Sequence, residues 1–263
     1  MLATLNSFLR PERCRRWTAL LAGGLLMVLL SAAGVAETNA PSPTATALAQ
    51  KAFAEAQKLY LANPADVEKG IQFAQACFDL AEFPARDKER ERLANQGIAA
   101  ARDTISRAPK SAPAHYYLGM NLGQLARTKS LGALKLVEEM EHEFKTAAQL
   151  DSSLDFAGPN RNLGLLYLET PGWPASIGSK SKAKQHFERA VILSPSYPEN
   201  QLNLLEAYLK WNDRAGVERT LAALRALLPK ARTEFSGERW VSAWLDWESR
   251  WRTLSEKAER RKP

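Results

Sequence analysis

From about Ala47 to the C-terminus, apolar residues recur at spacings of three and four with charged or polar residues between them, the pattern of helices that each bury one face. Phe73, Ala76, Cys77 and Leu80 form one such row. Neither the alternation of a half-buried strand nor an Asn-Gly hairpin signal interrupts it. The breaks fall at turn chemistry. Pro109 closes a helix predicted from about Ala85 to Ala108, Ser111-Ala112-Pro113 opens the next, and Pro195 and Asn212-Asp213 mark later turns. The chain is expected to be all-α.

The helices also repeat. Leu163-Gly164-x-x-Tyr167 is followed by Ala183, Phe187, Ala190, Leu193 and Pro195. At these offsets small residues let two antiparallel helices approach, large ones fill the groove between units, and the proline stops the second helix. The next unit has Leu204 and Tyr208, then Val217, Leu221, Leu224, Leu227 and Pro229, in a register of about 34 residues with its turn at Asn212-Asp213. The preceding unit has Leu118-Gly119 and Leu122, then Met140, Phe144, Ala147 and Leu150. This unit and the central one are lengthened between their helices, by about nine residues around 128–137 and about seven that include Pro171-Gly172-Trp173-Pro174. Phe53, Ala56, Tyr60, Phe73 and Ala76 fit a degenerate first unit. The spacing resembles the tetratricopeptide repeat. That resemblance implies a right-handed α-solenoid of four to five helix pairs over residues 47–234, above the roughly three that such a stack needs for stability.

Residues 235–263 leave the repeat and are expected to form a C-terminal capping helix with a basic tail. Ser236 is placed to cap it, with Glu238 in its first turn. Trp240, Trp244, Trp247 and Trp251 are spaced by four, three and four, so all four indoles share one face. The stripe is expected to cover the last groove of the stack; the second reading is self-association through the same rings.

The N-terminus changes what the composition means. Arg10, Arg13, Arg15 and Arg16 precede an apolar run from Trp17 to Leu30 and the small residues 31–36, the layout of an export signal cleaved after Ala36. The 19 residues from Trp17 to Val35 are also long enough for an uncleaved membrane anchor. Residues 37–46, with Pro41 and Pro43, are expected to be a linker. The net charge is +7 and would suit nucleic acid or an anionic surface, but four arginines and one glutamate of that balance lie in residues 1–36. The remaining charge is mixed along helices, as in residues 86–92, so no phosphate-tracking stripe and no nucleic-acid partner is expected. Cys77 is the sole cysteine past the signal, sits in a helical apolar row and is expected to be a buried small hydrophobe.

No catalytic constellation is visible. His115, His142 and His186 belong to no metal-binding spacing, and Gly178-Ser179-Lys180-Ser181 lacks the first glycine and the strand of a phosphate loop. Ser179 reads instead as a helix N-cap, and Glu138, Glu139, Glu141 and Glu143 as a solvated acidic face. Neither enzyme activity, cofactor nor metal is expected. A solenoid of this type offers a concave face lined by the first helix of each unit. Projection places Tyr116, Tyr117 and Met120, then Arg161, Asn162 and Leu165, then Asn203, Glu206 and Lys210 on that face, a mixed lining suited to a protein or peptide partner. Trp173, in the lengthened central loop, is a further candidate contact. A large apolar pocket beside Trp173 and Tyr167 would point instead to a small-molecule component.

The stretches Tyr116–Ala126, Gly158–Tyr167, Pro171–Gly178 and Lys182–Ala190 resemble exported bacterial tetratricopeptide proteins. They are similar to the T-component of tripartite (TRAP) transporters and to the regulator-of-microtubule-dynamics group. The resemblance implies a periplasmic scaffold or, in its transporter form, a lipoprotein that assembles and docks a ligand-binding partner. Here no cysteine follows the apolar run to carry the lipid.

Overall fold

The computed structural model describes residues 43–83, 86–129 and 133–261. The export segment 1–36 and the end of the basic tail lie outside these residues. Among the described residues ten α-helices follow one another: α1 (Pro43–Ala62), α2 (Val67–Ala81), α3 (Asp87–Arg107), α4 (Ala112–Ala126), α5 (Ala133–Leu150), α6 (Leu154–Glu169), α7 (Lys180–Leu193), α8 (Pro198–Lys210), α9 (Arg214–Glu234) and, after a 3-10 turn at Glu238–Trp240, α10 (Val241–Glu259). Among the described residues there is no strand, only a bridge between Gly172 and Gly178. The pairs α2–α3, α4–α5, α6–α7 and α8–α9 pack within themselves and then onto the next pair, an all-α solenoid. Helix α1 begins at Pro43, inside the stretch expected to be linker, and packs on α2.

Side-chain caps start the helices where the sequence offers them. Asp66 accepts from Lys69 N (3.1 Å), Ser111 from Ala114 N (3.4 Å), Ser179 from Lys182 N (3.3 Å) and Asp213 from Gly216 N (2.9 Å), each satisfying an otherwise orphaned amide. Within a pair, the helices meet where one residue is small. A Cβ on Gly119 would stand 2.6 Å from the Phe144 ring, and one on Gly164 would stand 2.6 Å from Phe187. The next pair reverses the roles: Gly216 of the second helix lies under Tyr208 of the first.

Three expectations need correction. Pro229 does not end α9, which continues to Glu234, because Ala231 and Phe235 carry buried apolar contacts onward and Phe235 N still bonds Ala231 O (2.8 Å). Ser236 makes no side-chain cap; the chain passes through the 3-10 turn and α10 starts after Trp240. The acidic run of α5 is a solvated face only in part: Glu138 is exposed, but the other three carboxylates have partners. Glu139 pairs with Arg102 of α3 (2.6 Å), Glu143 with His115 of α4 (2.6 Å), and Glu141 accepts from Tyr167 of α6 (2.5 Å), so α5 is tied to three neighbours by its carboxylates.

One continuous core runs through the stack from Ile71 to Tyr208. A second, aromatic one closes its C-terminal end around Tyr197, Phe235, Trp240, Trp244 and Trp247. Cys77 is fully buried, as the apolar row requires, and burial pushes its thiol far up, which leaves it inert.

Candidate binding surface

Helix α6 begins abnormally. Asp155, Phe156 and Ala157 all have left-handed backbone, with φ of 48, 54 and 64°. For residues with a Cβ this costs about 1–2 kcal/mol each and persists only where the surroundings dictate it. Arg161 is what dictates it here. Its Nη1 donates to Phe156 O (3.0 Å) and Asn200 Oδ1 (3.0 Å), and its Nη2 to Asp155 O (3.1 Å) and Asp155 Oδ2 (2.9 Å). Asn200 Nδ2 donates to Phe156 O as well (3.0 Å). Phe156 stacks on Tyr197 at 4.5 Å, and the guanidinium lies over that same ring. Because the turn absorbs residues up to Ala157, Pro159 falls in the first turn of the right-handed helix, where its missing N–H is no loss.

This knot reaches the inner face of the preceding pair. Tyr116 donates to Asp155 Oδ2 (2.7 Å), and Asn162 Nδ2 donates to the Tyr116 hydroxyl (3.2 Å). Burial and then the Asp155 charge push the Tyr116 phenol far above its ordinary value. Burial works against charge on Arg161, yet Asp155 together with Tyr116, Tyr197 and Glu199 outweighs it and keeps the guanidinium ionised. Arg161 has no exposed surface at all.

The concave lining projected from the sequence is thus largely closed. Tyr116, Tyr117, Met120, Arg161, Asn162, Leu165 and Asn203 are all buried, because facing helices use them to bond and pack against each other. Of the first-helix candidates, Glu206 is partly open and Lys210 exposed. Arg250 of α10 also enters the last unit, donating to Glu199 Oε1 (3.3 Å), Asn203 Oδ1 (2.5 Å) and Glu206 Oε2 (3.2 Å). Helix α10 therefore lies along α8 as a further first helix would. Its indoles point inward: Trp240, Trp244 and Trp247 are buried, and Trp251 packs against the same cluster. Three of the four rings are thus taken up inside the cluster at the C-terminal end of the stack, and Trp251 is partly buried against it.

Trp173 behaves in the opposite way. Its side chain is 89% exposed, on a loop whose own bonds fix it. Gly178 N donates to Pro171 O (2.8 Å), Ala175 N to Gly172 O (3.1 Å) and Ser179 N to Tyr167 O (2.9 Å). Gly178 has no room for a side chain, since a Cβ would meet Pro171 O at 2.7 Å. Tyr167 is buried and bonded to Glu141, so Trp173 and Tyr167 do not wall a common pocket. Beyond the loop, Lys180 lies over the Trp211 ring (5.5 Å), Lys182 over Tyr167 (5.0 Å) and Lys184 over Tyr208 (5.7 Å). An open groove of about 660 Å³ runs beside α7, between Asn160, His186 and Ile192. Among the described residues no cluster of three His, Cys, Asp or Glu is placed to hold a metal, and no helix is long and apolar enough to cross a membrane.

The chain superposes on the crystal structure of a thermophilic tetratricopeptide-repeat protein of Thermus thermophilus with a TM-score of 0.60, over 81% of this chain and 93% of that one, at 19% identity. The fold is of the tetratricopeptide type. No family profile and no curated protein matches the sequence. Spacing alone located the helix pairs and the Trp173 loop of this tetratricopeptide fold. It missed the Arg161 knot, Asn200 and Arg250; the one available signal was Pro159, which requires a helix start just before Arg161.

Proposed function

We propose that the chain is a non-catalytic, exported scaffold that binds a protein partner at the mouth of its concave face, with Trp173 as the anchor and Lys210 and Glu206 beside it. The observation that carries this reading is the combination at Trp173 of near-complete exposure and a braced loop. A large exposed aromatic ring carried on a braced backbone is the type of side chain that dominates interface energetics. Lys210 stands at the same edge, its Nζ bonded to Leu168 O (3.3 Å) and Glu169 Oε1 (3.0 Å) just before the loop. The inner-face polar groups support a scaffold and not an active site, because Arg161 and Asn200 bond each other, Asn200 also bonds Ala190 O, and His115 bonds Glu143 of α5. A small-molecule component like the transporter T-component would need an enclosed apolar pocket at Trp173, and the exposure of that ring favours the scaffold.

The test is a photo-reactive phenylalanine placed at position 173 or, as control, at Ile192, which is 69% exposed in the open groove. Irradiation in the source cell should give a discrete higher-mass adduct from position 173 and none from position 192. No adduct at 173, or the same adducts at both, overturns the reading. Export is checked by the N-terminus of the purified chain: cleavage after Ala36 is expected, and an intact Trp17–Val35 segment would make the chain membrane-anchored.

A further inference from the structure

We propose that the loop edge around Trp173 takes an acidic segment of the partner, with an apolar side chain against the indole and carboxylates on Lys180 and Lys182. This rests on the scaffold reading above and adds the chemistry of what is bound.

The charges at this edge are unevenly matched. Lys145 pairs with Glu141 (2.6 Å), Lys210 with Glu169 (3.0 Å) and Lys184 with Glu188 (3.9 Å). Lys180 and Lys182 form no ion pair among the described residues; an aromatic ring places each ammonium instead. The Gly172–Gly178 bridge closes the loop so that Trp173, one residue past Gly172, and Lys180, two residues past Gly178, leave it at the same end. An exposed indole thereby shares the loop edge with two cations that form no ion pair among the described residues, Lys182 feeling Glu141 only across the Tyr167 ring. The ring contacts favour these positions before any partner arrives, which lowers the ordering cost of binding. The complement is a segment with an apolar residue between carboxylates.

A lipid surface fits less well. Attraction to anionic headgroups takes a cluster of several basic residues, and here the lysines are interspersed with Glu141, Glu169 and Glu188. A continuous anionic sheet would be repelled by those carboxylates, whereas a peptide can place its own acids on two points.

The experiment is fluorescence anisotropy of the full chain with a labelled short peptide of Asp, Glu and Leu. It is compared with versions carrying Asn and Gln, or Lys, in place of the acids, and with phosphatidylglycerol and phosphatidylcholine vesicles. The acidic peptide should bind most tightly and lose affinity with salt. Two exposed ion pairs correspond to roughly tenfold, so K180E/K182E should weaken it by about that factor or more, and Trp173→Ala by several-fold. Lys51→Glu/Lys58→Glu, an equal charge change on the exposed face of α1, should leave binding unaltered. Equal affinity for the acidic and lysine peptides, no effect of K180E/K182E, or binding to phosphatidylglycerol vesicles without peptide binding would each overturn the proposal. An adduct at position 173 together with no acidic preference would sink this inference and leave the scaffold standing; no adduct at 173 would remove both.

Discussion

One helix pair of this chain holds an arginine with no exposed surface and a tryptophan that is almost wholly exposed, the reverse of where the two residue types usually sit. Arg161 is buried because it supplies what a left-handed turn of three residues needs, donors aimed at the carbonyls of Asp155 and Phe156 and a positive charge beside Asp155. Trp173 is exposed because its loop is closed by backbone bonds across Gly172 and Gly178 and does not use the ring at all. The difference separates internal support from open surface: the polar residue that resembled a ligand contact holds a turn together, and the apolar residue in a loop, where we propose the partner binds, has no such task.

The comparison is broken most directly at Arg161. Arg161→Ala leaves the Asp155 carboxylate in a buried site without its counter-charge and the left-handed turn without its donors. Loss of one partner of a buried pair costs about 3–5 kcal/mol, and at about 2–4 °C per kcal/mol thermal unfolding should fall by roughly 6–20 °C. The double variant Arg161→Met/Asp155→Asn should recover part of that loss in a denaturant titration, since no charge is then stranded; simple additivity of the two single variants would mean that the pair is not what holds the turn. Next in size is Gly164→Ala. The added methyl lands 2.6 Å from the Phe187 ring, and overpacking of this kind costs about 1–3 kcal/mol. Phe187→Leu in the same chain should relieve it, and a lack of rescue would place the strain elsewhere.

How much of this was legible in the sequence follows the same division. Residues whose role is set by period were readable: Gly119 and Gly164 against Phe144 and Phe187, Ser179 as a cap, and Trp244, Trp247 and Trp251 on one face of α10 with Trp240 just before it. Each obeys a local rule of spacing or capping. Arg161 does not, because its burial depends on Asn200 from the next pair and on a backbone turn that no periodicity marks. The projected concave face failed for a related reason. Helical phase says which way a side chain points, but not whether a neighbouring helix already occupies the space, as α10 does at Asn203 through Arg250.

A smaller effect separates the two sides of α7. His186 is partly buried, with its Nδ1 3.1 Å from Asn160 Oδ1 and its ring stacked on Tyr167. Desolvation, then the charges of Lys145 and Lys182, hold its pKa below the ordinary histidine value, with Glu141 opposing in part. The unfolded chain therefore takes up this proton first as pH falls, and stability should be lost below a pH of about 6.5. Denaturant midpoints measured between neutral and mildly acidic pH should fall less steeply in His186→Gln; identical slopes would show that the ring is solvated in the fold.

The smallest expected change carries the most weight. Trp→Ala in a packed core costs about 3–5 kcal/mol, and Trp247→Ala should fall in that range because its ring is fully buried among Tyr197, Phe235 and Trp244. Trp173→Ala removes the same group from a loop whose bonds are all made by backbone, so stability should shift by no more than about 0.5 kcal/mol, the scale of an exposed substitution. Urea unfolding of the two variants side by side measures the contrast. A loss above about 1 kcal/mol in Trp173→Ala would mean that the ring helps to build the loop, and its exposure could then no longer be assigned to a partner. A neutral result leaves an exposed indole with no structural task, on an edge of the solenoid where Lys180 and Lys182 form no ion pair among the described residues.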